Sequence, residues 1–475
     1  MSGVENNLSK MVEDGLFHRS PVSGDVLKDN KGHLRPDHSA WAEWIIKNFN
    51  VVTDDSIILM YDNATGRFVP GEKEIKVWME RNYSSFSLRD FSEIFEHTKN
   101  RTYLSLDAKK KLHQSHTKLL LLENGVFDIE KKELLMFSPD FLFTSAPLPF
   151  KFDSEKDCPT IKQFISEIVA PNDVSILQEM VGYGFLKDMP FHKAFMFIGE
   201  GRNGKSTLIN LLVDIFGSDN VSKLGLQQLT AGGFVLAHLK DKMLNVYPDL
   251  PARALVDTGY FKVLTGGDWL TVDRKFKDPT SFVNYAKMIF SCNKLPEAKD
   301  DSIAFFRRWI LINFPNEFTP DKADPHLLSK LTTPDELSGF FNWALEGLLR
   351  LFENRGFSYS KTTDEVQDQY ERLSNSLLAF VKDNIEPDAK AVITKDDFFN
   401  RYAAYCRGLN IPVKSKTVVG RELASHIAVS TGQHDRSRAW LGIKFIDAEE
   451  GEQVATNPQE LLDMVDKIKG DEKNG

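Results

Sequence analysis

The sequence predicts an α/β protein: a parallel sheet flanked by helices, preceded by a mixed α/β region and followed by a small module of helices and strands. Three observations carry this. Between about 165 and 355, short apolar runs alternate with helical stretches, the pattern of parallel strands joined by crossover helices. Hydrophobic residues make up 41% of the chain without an excess of Pro or Gly, so most of it can bury a core. At 475 residues it exceeds one ordinary core, and usual domain sizes predict about three.

Taken in order, residues 1–36 are polar and aperiodic and read as an arm. A mixed α/β domain over 37–164 opens with Trp41, Ile45 and Phe49 at helical spacing. Ile57–Tyr61, the turn Asp62–Gly66 and Phe68-Val69 then read as a hairpin, and another apolar run, from Lys118 to Ile129, is broken by Asn124-Gly125. In the 165–355 domain the expected strands are Ala194–Ile198, Met243–Tyr247, Lys287–Cys292 and Trp309–Phe314. Charged helix formers over 356–390 predict a helical connector. In the 391–446 module, Thr394-Lys-Asp-Asp397 opens a helix that Gly408 stops, Ser415 opens another, and Arg438–Phe445 alternates as a strand does. Two helices followed by a strand ribbon suggest a winged helix. The remainder, 447–475, is an acidic tail with a short amphipathic helix from Asn457.

Several classes are excluded early. No apolar run approaches the ~18 residues of a membrane span, and Met1-Ser-Gly-Val-Glu has neither the basic nor the apolar part of a secretory signal. A cytoplasmic protein without a membrane partner is expected. Cys158, Cys292 and Cys406 lie too far apart for a disulfide framework or a Cys-x-x-Cys metal knuckle. A formal charge of −9 opposes nucleic-acid binding by the whole surface, so any such contact must be local.

The segment that carries chemistry is Gly199, Glu200, Gly201, Arg202, Asn203, Gly204, Lys205, Ser206 and Thr207, which fits G-x-x-x-x-G-K-[ST] between an apolar strand and an amphipathic helix. Such a loop wraps phosphates in backbone N–H groups at a helix N-terminus. Lys205 then neutralises charge and Ser206 reaches Mg2+, which makes a nucleotide phosphate chain with its metal the expected ligand. Leu208, Leu211, Leu212 and Ile215 stripe the helix, and Gly217 sits where it should end. Downstream, Asp249 follows the second strand as a second metal contact and Asn293 ends the third, where it could orient the attacking water. Arg307 and Arg308 precede the fourth, and planar Arg suits the charge developing on a transferring phosphoryl group.

These words and their order resemble the superfamily 3 helicases, in the branch of poxvirus primase-helicases and phage and plasmid replication proteins. The resemblance rests on Asn203-Gly-Lys-Ser-Thr207, Leu264-Thr-Gly-Gly-Asp268, Phe290-Ser-Cys-Asn293-x-Leu-Pro296 and Phe306-Arg-Arg-Trp309. Glu123–Asp128 through Ser138–Phe143 is similar to the region preceding the motor there, and 398–445 to its winged-helix domain. It implies a P-loop core of the AAA+ type in a hexameric ring, hydrolysing ATP at subunit interfaces while moving 3′ to 5′ on single-stranded or forked DNA. Lys205, Asp249, Asn293 and Arg307 or Arg308 become the catalytic set, with one Arg reaching a neighbour's nucleotide. A basic hairpin tip, Arg274, Lys275 and Lys277, becomes a strand contact. The single carboxylate in Pro248-Asp249-Leu250 departs from the usual acidic pair, so the resemblance does not identify the catalytic base. No Asp-x-Asp pair of a primase is found, so a separate primase or polymerase is a candidate partner, and a viral source would place the protein in host cytoplasm.

Arg401 to Lys444 holds eight basic residues against Glu422 and Asp435, a local DNA footprint with Lys416 and Arg421 on the helix that would meet DNA. That feature also supports a replication initiator or regulator whose loop is a nucleotide switch. A small-molecule kinase is the third reading; no lid with an Arg cluster is evident for it.

Overall fold

The computed structural model describes residues 26–28, 34–82, 86–255, 257–275, 277–319, 324–409, 413–434 and 437–446. Most of the expected arm and all of the expected tail lie outside these residues.

After a two-stranded ribbon, β1 (Val26–Lys28) and β2 (Leu34–Pro36), the first unit begins with α1 (His38–Phe49), whose Asp37 cap accepts from two backbone N–H groups. An antiparallel sheet follows, β3 (Val51–Asp54), β4 (Ile57–Asp62) and β5 (Arg67–Pro70), then α2 (Glu72–Asn82), α3 (Leu88–Thr102) and α4 (Leu106–His116). Trp41, Trp44, Ile45 and Phe49 form its core with Ile58, Met60, Phe91 and Ile94. A second small sheet, β6 (Leu119–Leu122), β7 (Gly125–Asp128) and β8 (Glu133–Leu135), belongs elsewhere. Leu120, Leu122 and Phe127 pack into the main core together with Phe164, Ile165 and Ile168 of α5 (Pro159–Ile168). The expected boundary at 164/165 therefore falls inside a helix. The all-apolar run Leu119–Leu122 needs cover that the first unit does not supply.

The central sheet has five parallel strands in the order β10 (Val221–Ser222), β11 (Leu244–Tyr247), β14 (Lys287–Cys292), β9 (Ala194–Ile198), β15 (Trp309–Asn313). Its four expected strands are present and β10, only two residues long, was not foreseen. Alternation sends Phe195 and Phe197 to one face and Ala194, Met196 and Ile198 to the other, and both faces are covered. On the first lie α5, α6 (Pro171–Phe185), α7 (Lys205–Phe216), α11 (Leu327–Leu331) and α12 (Pro334–Glu353). On the second lie α8 (Leu226–Ala231), the 3-10 turn Gly233–Leu239, α9 (Gly259–Leu264), the hairpin β12 (Trp269–Arg274) and β13 (Lys277–Val283), α10 (Ile303–Phe306) and α13 (Thr363–Ser374). Helices α6 and α12 approach closely because both contribute glycine. A Cβ on Gly182 would sit 2.3 Å from the Ala344 carbonyl, and one on Gly347 2.6 Å from that of Gln178. Buried Glu179 beside this contact accepts from Arg350 Nε at 2.7 Å and from the Ser358 N–H and hydroxyl.

The last unit comprises α14 (Ser376–Asn384), β16 (Ile385–Thr394), α15 (Lys395–Gly408), α16 (Lys416–His426), β17 (Ser430–His434) and β18 (Ser437–Phe445), with sheet order β16-β18-β17. Thr394 and Ser415 cap their helices as expected. The connector is corrected: Leu377 and Phe380 of α14 belong to this unit's core, and β16 runs through residue 390. Its register breaks between Pro387 and Val392, which lets Asp388 and Lys390 bulge outward and disguises a strand as polar linker.

Candidate active site

The loop between β9 and α7 is shaped by steric demands at two glycines. A Cβ on Gly199 would meet Asn203 Nδ2 at 2.4 Å and the Phe314 carbonyl at 2.7 Å, and Gly204, at φ +84°, would drive one into Ile168 at 2.4 Å. The segment after β15 clasps the loop from outside: Asn203 Nδ2 donates to the Phe314 carbonyl (3.4 Å), and the Phe318 N–H donates to that of Arg202 (2.8 Å). Buried Lys205 donates to the carbonyls of Gly199 (2.5 Å) and Glu200 (3.0 Å) and to Asn203 Oδ1 (2.8 Å). Burial lowers its pKa, and the negative charge of Asp249 is among the influences that oppose this. No side chain caps α7, so the first N–H groups of the helix have no such partner. Space above Gly201 is open, Glu200, Arg202 and Ser206 are exposed, and Thr207 is half-buried. A triphosphate fits this cradle on those grounds, and the Ser206 hydroxyl and Asp249 carboxylate are hard oxygen donors of the kind Mg2+ takes.

The sheet brings the other candidates together. Strand β14 lies between β9 and β11, with Cys292 opposite Ile198 and Phe290 opposite Tyr247. The loop, Asn293 and Asp249 therefore emerge side by side at one rim, and both polar side chains are exposed. The Leu250 N–H donates to the Ser291 carbonyl at 2.8 Å and holds the end of β11 beside β14. Buried Cys292 lies within the same electrostatic neighbourhood. Burial pushes its thiol up to about 12, Lys205 opposing and Asp249 adding.

Arg307 and Arg308 stand at the opposite rim, since they precede a strand that runs parallel to β9 with Trp309 opposite Ala194. Five residues of strand, roughly 16 Å, separate them from the loop edge. Their roles divide. Arg308 is buried inside its own chain, its Nε donating to Thr265 Oγ1 at 2.8 Å and its guanidinium to the carbonyls of Lys262 (3.2 Å) and Ala304. Arg308 is thus committed to holding Leu264–Asp268 within its own chain. Arg307 is exposed.

The basic tip is anchored. Arg274 Nη1 lies 3.6 Å from Asp55 of the first unit, whose carboxylate also accepts from Thr280 (2.8 Å), Lys240 (3.0 Å) and Lys109 (2.8 Å). Burial works against ionisation of Asp55, yet these donors hold its carboxyl well below the usual range. Asp55 and Ser56 take left-handed backbone, φ +45° and +67°, which turns the carboxylate toward the hairpin. Lys275 is exposed, and the side chain of Lys277 lies outside those described.

In the last unit, Lys416 donates to Asp396 (2.7 Å), and exposed Arg421 is 3.7 Å from Glu422. Lys444 pairs with Glu386, and Lys414 with Glu422 and Glu297. The basic excess counted from Arg401 is thus offset by carboxylates that include Glu386 and Asp396, just outside that window. Sequence reasoning missed Asp55, the Phe314–Phe318 clasp and the pairing by which Lys414, counted there only among the basic residues, ties the last unit to Glu297 beside the Asn293 loop. Only contacts between residues far apart in the chain reveal them.

Among known proteins, a family described as D5 N terminal like matches residues 17–170, and a family of unknown function, DUF5906, matches 197–308. A protein of Acanthamoeba polyphaga mimivirus, named provisionally as a helicase, is 24% identical over 293 residues. That match covers 56% of this chain, which spans 30% of the relative's length. Two structures of the NrS-1 C-terminal region match at 13% and 12% identity with TM-scores of 0.47 and 0.46, each over 86% of this chain and 100% of theirs.

Proposed function

We propose that the chain is an ATP-driven replication helicase, assembled as a ring with an AAA+ type core and moving 3′ to 5′ on single-stranded DNA. One observation carries the reading: adjacent parallel strands bring Lys205, Asn293 and Asp249 to one rim while Arg307 stands exposed at the other. An arginine placed there serves a nucleotide bound by a neighbouring copy, as head-to-tail packing in a ring provides. The D5-type region and the helicase-named viral relative support the same class.

In this reading Lys205 exchanges its loop oxygens for phosphate oxygens, and the free N–H groups of α7 cradle the same anion. Asn293 positions the attacking water. Ser206 and Asp249 would hold Mg2+, which supplies charge neutralisation on the phosphates. The last unit, in winged-helix arrangement, and the hairpin tip would contact DNA, with a separate primase or polymerase as partner and host cytoplasm as the site of action.

A strand-displacement assay with 3′- and 5′-tailed duplexes tests motor and polarity together. ATP turnover that DNA neither stimulates nor couples to displacement would overturn the proposal. The nucleotide-switched initiator draws on the basic last unit, and site-specific duplex binding without strand displacement would favour it.

A further inference from the structure

A cavity of about 140 Å³ lies where α4, the stretch Phe143–Ser145 and the β12–β13 hairpin meet. That is roughly ten times the space one water needs. Phe143, Trp269 and Tyr285 give it aromatic walls, with His113 stacked on Tyr285 at 6.0 Å between centroids, and Asp54, Lys240 and Asp241 add charged ones. Lys187 enters it with a side chain more than nine-tenths buried and its ammonium 4.4 Å from the centre of the Phe143 ring. That ammonium makes no hydrogen bond among the described residues; the Asp241 carboxylate, which lines the same cavity, offsets part of the cost of burying it. His116 is the second unsatisfied group. Its Nδ1 lies 2.7 Å from the Leu112 carbonyl, which only accepts, so Nδ1 carries the proton and Nε2 is an acceptor. Nε2 is buried and without a partner. Burial, reinforced by the charge of Lys187, lowers the imidazole pKa and keeps the ring neutral.

An unmatched donor and an unmatched acceptor between aromatic faces complement a flat ring with an acceptor and a donor side by side on one edge. Every nucleobase has such an edge, and stacking on aromatic side chains holds any base. We propose that this cavity receives one unpaired nucleobase, Lys187 donating to its carbonyl or ring nitrogen, His116 Nε2 accepting from the adjacent N–H, and Trp269 stacking at the mouth. Trp269 is 37% exposed, and the Lys110 ammonium, 5.8 Å from its ring centre, stands ready for a phosphate. The pocket deepens the polynucleotide reading above, because the hairpin that carries the basic tip forms one of its walls. It also gives that reading a fixed point on the strand.

The test uses the full chain without ATP or Mg2+, titrated with thymidine 5′-monophosphate, with a short oligothymidylate, and with the same strand made abasic. The signal is tryptophan fluorescence, assigned with Trp269→Phe. The intact strand should bind about tenfold more tightly than the abasic one. Lys187→Met and His116→Leu should each lose about tenfold for the intact strand, while Lys187→Met raises the unfolding temperature because a buried ammonium, whose burial outweighs the attraction of Asp241, is gone. Binding of the monophosphate but not of the strand would assign the site to free nucleotide; the reverse would assign it to a base within a chain. Equal affinity for abasic and intact strands, full competition by inorganic phosphate, or an unchanged affinity in folded Lys187→Met would each overturn the proposal. A protein with DNA-stimulated turnover that fails these titrations loses the pocket and keeps the motor.

Discussion

Separating Arg307 from Arg308 gives the sharpest test of the arrangement. Arg308→Ala strips three hydrogen bonds from a buried guanidinium and leaves Thr265 Oγ1 and the Lys262 and Ala304 carbonyls without their donor. A loss of about 3 kcal/mol in folding stability is expected, because buried neutral acceptors lose a charged donor. Arg307→Ala removes an exposed side chain and should leave stability within about 0.5 kcal/mol. Its ATP turnover should nonetheless fall by about 10³–10⁵, or roughly 4–7 kcal/mol of barrier. Because the loop and Arg307 occupy opposite rims, the missing arginine can come from another chain. Lys205→Ala subunits should be inactive on their own, and equal amounts of Lys205→Ala and Arg307→Ala subunits should restore turnover. Random assembly leaves about a quarter of interfaces with both an intact Lys205 and an intact Arg307 when they come from neighbours, and none when they come from one chain. Phosphate release measured on the mixture against each variant alone reads this directly. Failure of the mixture to exceed its parents, with subunit exchange verified, refutes the two-rim argument.

Three further outcomes follow from the packing. Asp55→Asn should cost about 2 kcal/mol in urea unfolding, less than a fully buried pair because this network is partly exposed; since the carboxyl is held below its ordinary 3.8, its contribution is complete above that pH and declines as pH falls below it. Lys187, which burial lowers to about 8 from its ordinary 10.5, destabilises the fold fully below pH 8 and progressively less toward 10.5, so the stability gained in Lys187→Met should shrink across that window in thermal melts. Gly182→Ala places a methyl group 2.3 Å from the Ala344 carbonyl and should cost at least about 1–3 kcal/mol by overpacking, seen as a lowered melting temperature, whereas alanine at open Gly201 should leave that temperature unchanged.

Local signals were legible where chain order and periodicity suffice. Leu208, Leu211, Leu212 and Ile215 announced α7, and Thr394 and Ser415 announced their helices, because caps and stripes are written within a few residues. The rim that gathers Lys205, Asn293 and Asp249 was legible only as three separate strand ends; the strand order that makes them neighbours is a long-range property. Arg307 and Arg308 stayed equal candidates because two adjacent arginines look alike in sequence, and only Thr265, brought from 43 positions away, shows which of them is buried. The polar bulge in β16 hid a strand for the opposite reason: its pairing with β18 overrides a composition that favours a linker.

The mooring of the hairpin at Asp55 bears on how work could pass through the molecule. A lever bolted to its neighbour does not swing by itself. Any stroke of β12–β13 either tears Arg274 and Thr280 from their carboxylate or drags α1 to α4 along with it. The opening hundred residues would then be ballast on the arm, setting how far each cycle travels and how abruptly it stops.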